Sequence, residues 1–294
     1  MPLIERRFRW IFLALFGVFV VFGTAMTIIG ALLPKILTSF GWSYFTAGLV
    51  LGANAVAYFC FTFVGGFLVR SFGAKQTILV GLTVQAVGLA FFAATSDPVT
   101  NILLSAFLGI GLGCVEISVN WTTLRLDTAR TGRPMNLMHG AFAMGAIIGP
   151  LALAGLIGAG FEWVAIYRCM SGVFAALAVA IVFLDMSFTV AGDDAPAVAG
   201  AARISRHPAY WLSFLALFFY VGVELGVSNW VAEYFVAIFA YPPTQSAFLV
   251  SLFWLGLLAG RFGVPLLYHG DRQDLLLLGS SALATVSIAG LSGL

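Results

Sequence analysis

Nine long apolar segments, separated by short polar breaks, are the feature that most limits how this chain can fold. The core of a bilayer takes about twenty apolar residues per helix, whereas the strands of a membrane barrel are shorter and alternate in polarity. We therefore expect an all-α integral membrane protein built as a helical bundle. The predicted helices cover residues 10–33, 46–69, 77–94, 99–122, 135–158, 163–183, 209–231, 246–267 and 275–294.

The composition excludes several classes of protein. Hydrophobic residues make up 61% of the 294 positions and charged residues only 9%, against roughly a quarter charged in a soluble domain. The net charge of +2 is too small and too dispersed for a nucleic-acid partner. Cys60, Cys114 and Cys169 all lie in apolar runs without metal-ligand spacing. We expect the lipid bilayer as a partner, and no metal, no cofactor and no nucleic acid.

The basic residues predict the orientation of the chain in the membrane. The first apolar run follows a basic N-terminus and is too long for a signal peptide, so it is expected to remain as a membrane helix. With the N-terminus in the cytoplasm, twelve of the fourteen lysines and arginines fall on the cytoplasmic side, and only Lys35 and Arg168 fall outside. We expect a multi-pass protein of the plasma membrane or the bacterial inner membrane, with its N-terminus cytoplasmic.

The longest polar break divides the predicted helices into two sets. It spans residues 187–208 and is interpreted as a cytoplasmic linker between a six-helix bundle at 1–186 and a three-helix partial bundle at 209–294. A Gly-rich basic segment follows helix 2, and a related segment lies in helix 8, as expected for internal repeats of a transporter. We expect these segments to act as a conformational loop, with Gly66, Arg70, Gly73, Lys75 and Arg261 as its main residues.

Three helices carry a resemblance to a known family. The segments 111–120, 136–150 and 220–230 hold Glu116 with Asn120, His139, and Tyr220 with Glu224 and Asn229-Trp230. Together with the six-helix set and the basic loop, they make the chain similar to the major facilitator superfamily, and within it to the fucose/glucose/mannose–proton symporter branch. The resemblance implies twelve helices and alternating access. Nine are present, so the chain is either a fragment or a truncated product.

Two details qualify the resemblance. The superfamily's loop usually has an aspartate where this chain has Arg70 and an arginine where it has Ser71, so a latch expected there is altered. The run from Gly145 to Pro150 partly resembles the helix 5 signature of drug–proton antiporters. Export therefore remains an alternative to uptake.

Acids inside the predicted helices are the strongest indication of chemistry. An ionised carboxylate in a membrane helix costs about 3 kcal/mol and usually marks an ion or substrate path. Glu116 and Glu224 are the two that lie well inside the predicted helices. His139 on helix 5 is predicted to reach the depth of Glu116 and to tune its proton affinity. These three residues are the proton-coupling candidates, although an interhelical hydrogen bond or a boundary histidine would also explain each.

A sugar site needs amides and acids beside aromatic planes. Asn120 lies one turn from Glu116 and Tyr220 one turn from Glu224, so they are natural candidates. Each side chain taken alone is also explained by packing or by the aromatic belt of a membrane protein. The substrate-binding candidates are Asn54, Tyr58, Gln85, Asn120, Tyr220, Asn229, Trp230 and Trp254.

The leading hypothesis is secondary active transport of a small polar solute, a hexose-like sugar, by proton symport with alternating access. The alternatives are a proton-coupled drug or metabolite efflux antiporter and a truncated membrane protein that does not transport. An enzyme is disfavoured, because the sequence lacks the usual reactive motifs of hydrolases, metalloproteases and phosphate-binding enzymes. We expect the chain to act as a monomer.

Overall fold

Nine α-helices make up the parts of the chain that the computed structural model describes, which are residues 4–128, 132–187, 206–267 and 273–292. This confirms the predicted all-α membrane fold. Seven of the helices, α1 to α7, are long and apolar enough to cross a membrane. The helices are α1 (Arg9–Phe40), α2 (Tyr44–Phe72), α3 (Ala74–Phe91), α4 (Pro98–Leu126), α5 (Arg133–Gly158), α6 (Trp163–Val182), α7 (Pro208–Phe239), α8 (Pro243–Leu267) and α9 (Gln273–Ser292).

Helix boundaries follow local capping chemistry. The Ser43 hydroxyl accepts a hydrogen bond from the Thr46 amide and begins α2. Asp97 does the same for the Thr100 amide at 2.8 Å, with Pro98 in the first turn of α4. The hydroxyl and the amide of Thr100 hold the pKa of the Asp97 carboxyl below its usual range. Gly41 ends α1 in the left-handed conformation, with φ of 65°.

Helix α1 is longer than predicted. The sequence interpretation ended it near Leu33 because a proline follows, yet the helix continues through Pro34 to Phe40. A proline removes one backbone hydrogen bond without always ending a helix. Ile36 and Leu37, beyond the proline, are buried and hold the extra turns in the core.

Glycines set the closest helix contacts. The predicted small-residue positions lie where two helices meet, with Gly109 and Gly113 of α4 against α2, and Gly145 and Gly149 of α5 against α1. A Cβ atom at Gly145 would lie 1.8 Å from the Val20 carbonyl oxygen, so no other residue fits that contact. The most extensive pairings are α2 with α4 and α1 with α5, followed by α3 with α4 and with α6.

Hydrogen bonds from side chains to backbone carbonyls join several of these helices. Each one takes a donor from one helix and a main-chain acceptor from another. The pairs are Asn54 to Ser105, Ser105 to Val50, Gln85 to Leu108, Ser171 to Ala86, Thr24 to Gly145, Ser251 to Ile147, and Arg168 to both Leu89 and Phe92.

The contacts divide the chain into two compact units, one through Leu255 and one from Gly256 to Leu294. The first unit holds α1 to α7 and the first half of α8, and α7 packs on α1 within it. The second holds the rest of α8 and α9. Most of the predicted linker at 187–208 lies outside the described residues, so the division at that point stays a prediction.

Candidate functional site

A cavity lies between six helices of the first unit: α1, α2, α3, α4, α6 and α7. The space in it that the centres of water-sized molecules can reach is about 70 Å³. Apolar side chains of α1 and α4 form much of its wall, and a few polar groups converge on it, as in binding sites for small molecules. The polar and aromatic residues of the wall are Asn54, Tyr58, Gln85, Phe92, Tyr167 and Asn229, together with Ser105.

Glu116 is joined to this cavity by a tyrosine. The hydroxyl of Tyr58, on α2, donates a hydrogen bond to Glu116 Oε2 on α4 at 2.5 Å. Both residues are half-buried, and Tyr58 also lines the cavity. The carboxyl group that the sequence singled out is therefore one side chain away from the space where a solute would fit.

Glu224 lies on α7, where it is half-buried and directly precedes Leu225, a residue of the cavity wall. The hydrogen bond from Tyr58 therefore joins one of the three proton-coupling candidates, Glu116, to the cavity wall. Sequence reasoning placed Tyr58 with the sugar-binding residues and did not connect it to either acid.

Two amides of the cavity wall are fixed by the backbone. Asn54 Nδ2 donates to the Ser105 carbonyl at 2.9 Å, and the buried Gln85 Nε2 donates to the Leu108 carbonyl at 2.6 Å. These bonds hold each amide in a set orientation at the wall. Both residues line the cavity, and their role in substrate binding stays a prediction.

Asn229 enters the cavity because α7 comes very close to α1. A Cβ atom at Gly30 would lie 2.6 Å from the Ser228 carbonyl oxygen and 2.7 Å from the Asn229 Cα atom. Only glycine permits this distance between the two backbones. Its neighbour Trp230 lies outside the cavity and packs on a cluster formed by Leu33, Leu37 and Ala47.

Four other predicted site residues lie away from the lining of the cavity, as far as the described residues go. His139 is exposed, and its ring meets that of Phe19 with 6.5 Å between centroids. Tyr220 is exposed, and Asn120 is half-buried on α4. Trp254 is buried, and its indole N–H donates to the Ser228 hydroxyl at 2.9 Å, as expected for a packing residue.

The described hydrogen bond of Glu116 comes from α2, and the tuning of Glu116 by His139 stays a prediction. Glu116 accepts its hydrogen bond from Tyr58 of α2. Helix α4 packs chiefly on α2 and α3, whereas α5, which carries His139, packs chiefly on α1. The chief partners of α4 are therefore the two helices that precede it in the chain.

Four of the five residues of the predicted conformational loop lie around the junction of α2 and α3. Gly73 joins the two helices with a positive φ of 90°, a conformation that favours glycine. Lys75 donates to the carbonyls of Val182 and Leu184 at the end of α6. Gly66 lies in the last third of α2, Arg70 is exposed there, and Arg261 lies in α8 beyond the residues whose side chains are described.

Two further residues escaped the sequence interpretation. Glu233 of α7 is only 9% exposed and accepts a hydrogen bond from Tyr44 of α2 at 2.9 Å. Tyr167 of α6 lines the cavity, is 1% exposed, and has a hydroxyl without a hydrogen-bond partner among the described residues. Tyrosine near the start of a membrane helix is common, so the sequence gave no specific indication of a role for Tyr167.

Among the described residues, no group of three or more histidine, cysteine or acidic side chains is placed to hold a metal ion. The polar side chains that line the cavity are amides and hydroxyls, and the Glu116 carboxyl is bonded to one of these hydroxyls. Groups of these kinds can bind and orient a polar solute.

Relatives of known name share this chain's sequence at low identity. The glucose/galactose transporter of Brucella abortus is 25% identical over 276 residues, which are 88% of this chain and 66% of that protein. A multidrug resistance protein of Aeromonas hydrophila is 25% identical over 212 residues, covering 70% of this chain and 51% of that one. The chain spans about two thirds of the length of the sugar transporters that it matches.

Solved structures and a family pattern agree on the architecture. The crystal structure of a D-xylose–proton symporter superposes with a TM-score of 0.58 at 14% identity, over 84% of this chain and 65% of that chain. The sequence pattern of the Major Facilitator Superfamily matches residues 14–294, almost the entire length. The family and the named relatives are transporters and not enzymes. This chain is a multi-pass membrane protein of the Major Facilitator Superfamily.

Proposed function

We propose that this chain carries a hexose-like sugar together with a proton, by alternating access. The observation that carries the proposal is the hydrogen bond from Tyr58 to Glu116, because it connects an acid inside the membrane to the wall of the cavity. Proton binding and solute binding would then take place one side chain apart. Their coupling needs no long path through the protein.

The cavity wall supports a sugar as the solute. Sugars have hydroxyl edges and apolar faces, and the wall offers both kinds of contact. Amides of Asn54, Gln85 and Asn229 stand beside the rings of Tyr58 and Phe92. Relatives named as transporters of glucose, galactose and mannose support the same class of solute.

A proton is needed because of the energetics of a carboxylate in a membrane helix. Moving an ionised acid through a closed, low-dielectric state costs several kcal/mol, and protonation removes that charge. Glu116 is the principal proton carrier in this proposal, and Glu224, half-buried on α7, is the second candidate. The fold shared with a D-xylose–proton symporter is consistent with this mechanism.

The proposal includes an orientation. We place the N-terminus and the loops that hold most of the basic residues in the cytoplasm, following the positive-inside rule. The Tyr44 end of α2 then faces outward. Protons and sugar would enter from that end and leave near Arg70.

The test is uptake of radiolabelled glucose into proteoliposomes that contain the chain, with and without an inward proton gradient. Wild type should accumulate glucose above equilibrium only with the gradient. Glu116→Gln mimics the protonated acid, so we expect it to lose accumulation while it keeps exchange of labelled for unlabelled sugar. Glu162→Gln is the matched control, because Glu162 is exposed before α6 and lies outside the cavity lining.

Two results would contradict the proposal. Accumulation by Glu116→Gln at the wild-type level would remove Glu116 as the proton carrier. Absence of glucose uptake and exchange in wild type, with other aldohexoses also inactive, would remove sugar as the solute.

A second candidate is efflux of a drug or metabolite in exchange for protons. It is favoured by the similarity to multidrug resistance proteins and by the glycine pair Gly145 and Gly149 of α5. Vesicles loaded with a fluorescent cationic dye separate the two functions. A proton antiporter would move the dye across the membrane when a proton gradient is applied. A sugar symporter would leave the dye where it is.

A further inference from the structure

The hydroxyl of Tyr167 is a polar group that the protein itself leaves unsatisfied. The residue is 1% exposed, and its oxygen has no hydrogen-bond partner in the described parts of the chain. Buried hydroxyls are nearly always paired, because burial without a partner is unfavourable. A phenylalanine would fill the same space without this cost. The hydroxyl therefore needs an explanation other than packing.

The ring of Tyr167 is held in place on two sides. It meets the edge of Phe92 with 5.1 Å between centroids and Trp163 with 6.2 Å. The next residue, Arg168, donates to the carbonyls of Leu89 and Phe92 at 2.6 and 2.7 Å. These bonds tie α6 to the end of α3. The ring contacts and the two bonds of Arg168 together hold this part of α6 against α3.

Tyr167 lines the cavity together with Leu89 and Phe92, and Gln85 contributes an amide to the same wall. A phenol both donates and accepts hydrogen bonds. The two apolar neighbours offer a surface to a carbon face, so the local chemistry fits a molecule with a hydroxyl beside an apolar face.

We propose that Tyr167 is a specificity-determining residue that hydrogen-bonds one hydroxyl of a polyhydroxylated solute. The inference rests on the proposed sugar transport and deepens it. A site that provides a hydrogen bond to a substrate hydroxyl rejects analogues that lack it, because the protein group is then left unpaired. Tyr167 therefore selects for the hydroxyl at one ring position.

The experiment measures binding of glucose and of its five monodeoxy analogues to the purified full chain by displacement of radiolabelled glucose. In wild type, one analogue should bind about tenfold more weakly than glucose, as for loss of one hydrogen bond. In Tyr167→Phe, glucose and that analogue should bind equally. Tyr210→Phe is the matched control, because Tyr210 is exposed at the start of α7 and lies outside the cavity lining.

Thermal unfolding of the same variants gives a second readout. Because the hydroxyl has no partner in the protein, Tyr167→Phe should keep the Tm of wild type or raise it. A lowered Tm would show that the hydroxyl is bonded within the protein, and would overturn the proposal.

The remaining outcomes separate the two levels of inference. If Tyr167→Phe discriminates among the analogues as wild type does, the proposal for Tyr167 is wrong and sugar transport stands. If wild type binds neither glucose nor any analogue, the sugar proposal fails and the assignment of Tyr167 fails with it.

Discussion

Helix α2 donates two hydrogen bonds from tyrosine to glutamate, and the two lie in different surroundings. Tyr58 donates to Glu116 at 2.5 Å, and Tyr44 donates to Glu233 at 2.9 Å. The donors are fourteen residues apart, about 21 Å along a helix at 1.5 Å per residue. The first bond joins α2 to α4, which it already contacts extensively, whereas the second joins α2 to α7.

The difference indicates that one pair of residue types serves two purposes. Tyr58 and Glu116 lie on helices that meet closely at Gly109 and Gly113, so we expect their geometry to persist during transport. Tyr44 is 56% exposed and reaches a helix of the other predicted set. We expect the first pair to control proton binding and the second to hold one end of the protein closed.

The largest effect should come from breaking the Tyr58 bond. A hydrogen bond to a charged group contributes about 1.5–3 kcal/mol, so Tyr58→Phe should lower gradient-driven glucose uptake by roughly 10- to 100-fold. Sugar exchange without a gradient should change much less. Parallel uptake and exchange assays check this, with Tyr241→Phe as a control outside the cavity lining. Equal losses in both assays would indicate a role in sugar binding instead.

A smaller effect is expected at the Tyr44 pair, because Tyr44 is largely exposed and a hydrogen bond with such a partner contributes about 0.5–1 kcal/mol. Tyr44→Phe or Glu233→Gln should favour opening at that end by about two- to fivefold. The measurement is the rate of thiol labelling at Ala47→Cys, a buried position nearby, after Cys60 and Cys169 are replaced by serine. The double variant should label no faster than either single one. Unchanged labelling would refute a closing role.

The smallest effect is expected at Trp42, whose indole N–H donates to the Ser96 carbonyl at 2.9 Å near the same end. Trp42 lies between α1 and α2, and Ser96 lies between α3 and α4, so the bond joins two loops of the predicted six-helix bundle. Trp42→Phe should lower the free energy of unfolding by about 1 kcal/mol or less and leave the rate of uptake unchanged. Thermal unfolding and uptake assays test this. A slowed uptake would mean that contacts within one bundle also govern opening.

The all-α membrane fold could be predicted from the sequence, because the length of each apolar segment indicates a helix that crosses the lipid bilayer. The location of several site residues was accessible too, since Asn54, Tyr58, Gln85 and Asn229 all line the cavity. Glu233 was missed because the predicted seventh helix ended at 231, whereas α7 continues to Phe239. The acid therefore seemed to lie outside the membrane helix.

The sequence pattern could not predict which side chains form hydrogen bonds between helices. The pairing of Glu116 with Tyr58 depends on α4 packing against α2, which the sequence pattern did not indicate. The unpaired hydroxyl of Tyr167 is visible only when every surrounding atom is placed. Both depend on long-range packing, which periodicity does not encode.

The side-chain bonds to backbone carbonyls have a consequence for how such a protein can diverge. A carbonyl is present at every position whatever the residue, so the acceptors of Asn54, Gln85 and Arg168 survive almost any substitution at the accepting site. One mutation in the cavity wall then needs no compensating mutation in a partner. Selection can alter the chemistry of the wall step by step while the helix framework stays as it is.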